Sequence, residues 1–245
     1  MENRSALGIM QPYFFPYIGY FSLIAATDAW VVFDISQYTP KTWMNRNRIL
    51  HPTLGWQYIT VPLSNSSISI ITSEARIRNI SKAKDNTLGK LTHYKKKAPH
   101  FDMVRSLVSS VFDTCDDDSL VKLNVRGLVA VCRYLDIPFH YNICSEMNLP
   151  FPDKMGPGDW APHICSFLRF NRYINPVGGK ALFDSDEFAY RGISLSFMQP
   201  AEFIYDTAPF QYIANLSILD VLMWNSPSEV KRAVLRVRPD DSIAP

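Results

Sequence analysis

The chain has 245 residues, 47% of them hydrophobic and 13% aromatic, with 25 Lys+Arg against 23 Asp+Glu and a net charge of +2. This composition excludes a highly charged disordered chain, four cysteines exclude a disulfide scaffold, and the even charge balance argues against general nucleic-acid binding. The expectation is one folded domain with a large core: residues 1–143 as an α/β core, residues 144–238 as a C-terminal part, and 239–245 as a frayed tail.

Taken in chain order, the apolar run at residues 7–10 predicts a first buried strand that stops at Gln11-Pro12. A loop with Pro12 and Pro16 then feeds a helix through Phe21, Leu23 and Ile24. Residues 29–33 predict a second buried strand closed by Asp34, so residues 7–34 form a strand–loop–helix–strand unit that favours a parallel sheet. Residues 56–63 predict another strand, with 68–71 and 75–77 as its partners. Residues 82–101 are basic. Asp102 caps a helix that buries Met103, Val104, Leu107, Val108, Val111 and Phe112. Asp116, Asp117, Asp118 and Ser119 open a second, where the acids complement the helix dipole in preference to binding a metal. A strand at 139–143, a helix near 161–173, a turn at Gly178-Gly179, a strand at 193–197 and helices at 216–224 and 228–236 complete the chain.

The N-terminal residues carry no apolar signal region, and no run reaches the ~20 residues of a membrane helix, so the expected location is the cytoplasm. Cys115, Cys132, Cys144 and Cys165 form no CxxC pair and are expected as reduced, mostly buried thiols.

The densest chemistry lies in residues 11–48. Tyr13, Tyr17, Gly19 and Tyr20 follow the first strand, and Gly19 sits where a helix start exposes N–H donors to an anion. The Tyr-x-Gly-Tyr order is similar to the HxGH element of nucleotidylyl transferases and class I aminoacyl-tRNA synthetases, with tyrosine at both histidine positions. Tyrosine cannot carry the positive charge that imidazole brings to adenylyl transfer. That resemblance, with the strand order, predicts a Rossmann-like or nucleotidylyl-transferase-like parallel-sheet core with helical C-terminal additions. Asp34 then lies at the carboxyl edge where open α/β sheets bind ligands. Gln37, Tyr38, Trp43, Asn45, Arg46, Asn47 and Arg48 follow closely and read as a polar loop: arginine forks for phosphate, amides for hydroxyls, aromatic faces for sugar or base.

The blocks MQPYFFPYIGYF, WVVFDISQY, WMNRNRI, GWQYITVPL, HYKKKAPHF, YINPVGGKALFD and LSILDVLMWNS, in this order, strongly resemble the WbqC-like family. The resemblance implies a bacterial protein of O-antigen or other surface-polysaccharide biosynthesis. It suggests acyl or aminoacyl transfer, such as glycyl transfer, to a nucleotide-linked amino sugar. The cofactor is left open, with an acyl or aminoacyl donor as the co-reactant that the resemblance implies. A small-molecule partner, and an association of copies, fit the same picture. The alternatives are a non-catalytic nucleotide-sugar-binding or assembly protein, and a nucleotidylyl transferase with a degenerate Tyr-x-Gly-Tyr element.

For a general base, His93 in the HYKKKAPHF block comes first, with Tyr94 beside it, and Asp34 competes. Asp220 is a third option, although a carboxylate inside an apolar helix is normally paired or capped. No HExxH, GxSxG, EF-hand or Walker pattern is present, so hydrolase, zinc-peptidase and ATPase readings have no motif behind them.

Overall fold

A computed structural model describes residues 5–239. The first strand, β1 (Ala6–Met10), is buried over almost its whole length. A strand with apolar side chains on both faces belongs in the middle of a covered parallel sheet. It is followed by α1 (Ile18–Ala25) and β2 (Ala29–Val32). The chain then leaves the sheet for a hairpin, β3 (Arg46–Leu50) and β4 (Trp56–Thr60), and three helices, α2 (Ile80–Leu91), α3 (Phe101–Asp113) and α4 (Leu120–Tyr134). It returns as β5 (Tyr141–Ile143) and continues through α5 (Trp160–Phe167), β6 (Arg172–Pro176), α6 (Ser185–Tyr190) and β7 (Ser194–Pro200). The last elements are α7 (Ile218–Trp224), α8 (Pro227–Val234) and β8 (Val237–Pro239).

The sheet order is β5-β2-β1-β6-β7-β8, with five parallel strands and β8 antiparallel at one edge. Outward from β1, the chain fills one side and then the other. That is the doubly wound, Rossmann-like order, and its switch point lies between β1 and β6. Strand alternation divides the core. Leu7, Ile9, Val31, Tyr173 and Phe197 pack with Ile164, Cys165 and Phe188 of α5 and α6. Ala6, Trp30, Val32, Ile174 and Met198 face α1, α3, α4, α7 and α8. Gly8 has a packing reason: a Cβ there would lie 2.6 Å from the Trp30 ring.

Several elements differ from the sequence expectation. Residues 46–50, expected as loop, are strand β3, paired with β4 from Arg46↔Thr60 to Leu50↔Trp56. Residues 68–71 and 75–77 form isolated bridges, Gln37↔Ile71, Leu63↔Ile77 and Arg76↔Ser119, and no strand paired with β4. Helix α3 starts at Phe101 with His100 at its cap, so Asp102 sits inside the first turn, and Met103 is 58% exposed. The expected helix near 161–173 ends at Phe167. Residues 172–176 become an interior strand, because pairing with β1 and β7 outweighs the weak strand propensity of Arg, Asn and Pro. Ser119 caps α4, and Asp116, Asp117 and Asp118 pair with Arg126, Lys122 and Arg76. The thiols of Cys132, Cys144 and Cys165 are pushed up to about 12, chiefly by burial. Among the described residues, no helix is long and apolar enough to cross a membrane. Most of the expected frayed tail, residues 240–245, lies outside the described residues.

Candidate functional site

The site is built on the loop at the carboxyl end of β1. Buried amides and hydroxyls tie its backbone down. Asn47 Nδ2 donates to the carbonyls of Phe14 (3.1 Å) and Phe15 (2.8 Å). Asn124 Nδ2 donates to Pro12 (2.9 Å) and Met44 (2.7 Å). Ser217, the N-cap of α7, donates its hydroxyl to Phe15 (2.7 Å) and its N–H to Arg48 (2.8 Å). The loop is thereby clamped between hairpin, α4 and α7. Asn47, expected to orient a sugar, is buried and committed to this clamp.

Strand pleating decides what the hairpin presents. Residues Arg46 and Arg48 share a face with Tyr58 and Trp56, while Asn47 and Ile49 turn inward. The Arg46 guanidinium lies 4.1 Å from the Tyr58 ring centre. That of Arg48 lies between Trp43 (5.3 Å) and Trp56 (5.2 Å). Trp56 meets Tyr58 edge-on at 4.9 Å. Both tryptophans are open to solvent, at 39% and 41% exposure. Arg48 also donates to the Asn215 carbonyl at 3.5 Å, and its Nε has no partner. Among the described residues, no carboxylate pairs with Arg46 or Arg48. Asn45 holds Val61 through its Nδ2, with its Oδ1 unpartnered. Gln11 bonds Ser36 at 2.9 Å, and Gln37 bonds the Ile68 carbonyl at 2.6 Å.

The other aromatic candidates separate by burial. Tyr20 is enclosed, with its hydroxyl on the Gln11 carbonyl (2.9 Å), so the second tyrosine of the Tyr-x-Gly-Tyr element does not face a phosphate. Tyr38 is fully buried and cannot stack on a ligand where it sits. Gly19 is buried as well: a Cβ there would lie 2.4 Å from the Tyr17 ring and 2.5 Å from Pro200. Close packing, and not an approaching anion, explains that glycine. Tyr13 and Tyr17 are half-buried near one another, and burial raises both phenol pKa values.

At the Leu50 end of β3 lies a second cluster. His93 Nδ1 bonds the Lys90 carbonyl at 2.9 Å, which assigns the proton to Nδ1 and leaves Nε2 as a lone pair. That Nε2 is buried, with no hydrogen-bond partner among the described residues. Burial lowers the His93 pKa; the Lys90 and Leu50 backbone groups oppose this in part, and the charges of Lys97 and His51 add to it. The Tyr94 ring lies against His93 with centres 4.0 Å apart, tilted by 37°. Its hydroxyl donates to Asp220, which also accepts from the Tyr205 hydroxyl (2.9 Å) and the Leu50 N–H (3.3 Å). Tyr94 is therefore a buried scaffold residue, not a stacking surface. Among the described residues Asp220 meets no cation; two phenols and an amide stabilise it, and burial still raises its pKa to about 6.

Asp34 stands elsewhere, at the end of β2. It is buried, and its oxygens accept the Ser145 N–H (2.9 Å) and hydroxyl (2.6 Å). It forms part of the wall of a cleft of about 240 Å³ that includes Ser73, Arg76, Lys122 and Glu146. His93 bonds the Lys90 carbonyl and Asp34 bonds Ser145, and among the described residues no hydrogen bond joins the two, so these candidate bases do not form one hydrogen-bonded centre. Trp56, Tyr58, Tyr205, Phe210 and Trp224 were not singled out as site residues from the sequence. Trp56 and Tyr58 were signalled by two-residue spacing within an expected strand. The others come together only through folding.

Fold and site together define a Rossmann-like α/β protein whose β1 loop is clamped under an arginine–aromatic hairpin. The chain belongs to the WbqC-like protein family, whose model matches residues 11–232. It is 33% identical over 183 residues to the uncharacterized protein Rv1507c of Mycobacterium tuberculosis (strain ATCC 25618 / H37Rv), a match spanning 74% of this chain and 77% of that protein. No solved structure matches it.

Proposed function

We propose that this protein is a transferase of surface-polysaccharide biosynthesis that joins an acyl or aminoacyl group to the amine of a nucleotide-linked amino sugar. The observation that carries the reading is the pair of arginines without carboxylate partners, each held on an aromatic face at one edge of the site. A guanidinium fixed by cation–π contact keeps its N–H fork for a diphosphate. Trp43 and Trp56 offer exposed faces for base or sugar, and Gln11, Gln37 and Asn45, each tied to the fold through its side-chain NH2, would read hydroxyls through the amide oxygen. In the reaction the amine nitrogen attacks the acyl carbonyl, the C–N bond forms, and the leaving group departs with its electron pair. The lone pair of His93 Nε2 accepts the ammonium proton.

The test combines binding and product mass. Arg46→Ala and Arg48→Ala should each weaken affinity for a nucleotide-linked amino sugar by about tenfold, and Arg46→Lys should not restore it. Unchanged affinity in both alanine variants removes the site assignment. A product heavier by the acyl group, seen by mass spectrometry with candidate donors, supports the transferase. A second reading, a non-catalytic nucleotide-sugar-binding component, is favoured by the covered position of His93 Nε2. It predicts the same binding with no mass shift.

A further inference from the structure

The segment between β7 and α7 runs through residues 201–217 without regular secondary structure. Connections of this length inside a compact fold are uncommon and usually functional. One turn in it is tightly made. Phe210 N–H donates to the Thr207 carbonyl (2.8 Å), and the Thr207 hydroxyl donates back to the Phe210 carbonyl (3.0 Å). Asp206 caps the same turn by accepting from the Ala208 N–H at 2.9 Å. The turn presents the Phe210 ring to a small box. His93 is 5.6 Å away edge-on, Trp224 6.0 Å and Tyr94 6.3 Å, and Lys97 Nζ stands 4.3 Å from the ring centre.

The walls and the occupant do not match chemically. His93 Nε2 and Trp224 Nε1 are buried ring nitrogens without hydrogen-bond partners among the described residues, one an acceptor and one a donor. A phenyl ring offers nothing to the His93 lone pair and at most a weak N–H···π contact to Trp224, and a buried polar group without a full hydrogen bond is costly. A planar group bearing a carbonyl oxygen and an N–H satisfies both: the oxygen accepts from Trp224 Nε1–H or Lys97, and the N–H donates to His93. We propose that the box of His93, Tyr94, Trp224 and Lys97 is the seat of an acyl or aminoacyl donor, and that Phe210 is its resting plug. The donor enters as the turn at residues 207–210 withdraws, uncovering His93. The donor assignment rests on the transfer function proposed above; the plug does not.

Carbethoxylation by diethylpyrocarbonate attacks neutral, accessible imidazole nitrogen and can be followed residue by residue by mass spectrometry. His93 should react slowly in the unaltered protein, with the exposed His140 as internal reference. Phe210→Ala should accelerate His93 by at least about tenfold while leaving His140 unchanged. Thr207→Val, which keeps the ring but breaks one turn bond, should give an intermediate rate and serves if the alanine variant folds poorly. Equal His93 rates in all three proteins overturn the plug. Acetamide, the planar acyl probe, should produce a saturable shift of the His93 Cε1–H signal in Phe210→Ala at lower concentration than in the unaltered protein. No response in either protein overturns the donor assignment. Absence of amide product in the transfer assay, with fast labelling of His93 in Phe210→Ala, would count against the transfer function and leave the plug standing.

Discussion

Asp220 shows what a single buried carboxylate does here. Its pKa rises from 3.8 to about 6, mainly by burial, while the Tyr94 and Tyr205 hydroxyls and the Leu50 amide pull the other way. The folded state therefore holds the proton more tightly than the unfolded chain. Its stabilising effect is complete below the unfolded pKa and is lost as pH rises through about 6. A shift of about two units corresponds to about 3 kcal/mol. In urea unfolding, native stability relative to Asp220→Asn should rise as pH falls from neutral to the acid side of this window. A difference that is constant across it would show that Asp220 does not titrate in this way. Tyr94→Phe removes one of the three donors, so it should raise the Asp220 pKa and lower stability at pH 7 by about 1–3 kcal/mol.

Among the elements, the hairpin is the most informative. The sequence NRNRI looks like polar loop because most of its residues are polar. As a strand it alternates: Asn47 and Ile49 go in, Arg46 and Arg48 go out. The buried amide has work there, because the β1 loop passes beneath and its carbonyls need donors. Asn47→Ala strands the Phe14 and Phe15 carbonyls and should destabilise the fold by about 2–4 kcal/mol in chemical denaturation. Asn47→Asp should be at least as harmful, since a carboxylate repels the same carbonyls. If either variant unfolds at the native midpoint, the clamp is not what holds the loop. In α1, Gly19→Ala should displace the Tyr17 ring, read as a change in tyrosine fluorescence, because a Cβ has no room beside it.

At the scale of the molecule, a net charge of +2 supplies almost no long-range field for an anion. Affinity for a nucleotide-linked ligand should therefore depend weakly on salt, and most of that dependence should vanish in the Arg46→Ala, Arg48→Ala double variant when titrated from low to physiological ionic strength. A steep dependence that survives the double variant would place the anion among the basic residues of α2 instead. The same scale explains the layout. The hairpin and α2 to α4 are inserted between neighbouring strands β2 and β5, so the sheet order is kept while a site-bearing layer is added on one side.

Local pattern was enough for β1, α1, β2, the apolar face of α4 and the α/β class. Those features depend on apolar runs, periodicity and capping residues close together in the chain. The family resemblance was also carried by short blocks read in order. What needed the tertiary structure was the division of labour among the aromatic and polar residues. Tyr20, Tyr38, Tyr94 and Asn47 are the same residue types as the exposed Tyr and Asn of any site, and only packing consigns them to the interior. The Asp220–Tyr94–Tyr205 centre joins groups 126 and 15 residues apart, and β6 is a strand because its neighbours are. Burial and pairing are properties of the assembled chain, since they depend on which distant segments exclude water from each side chain.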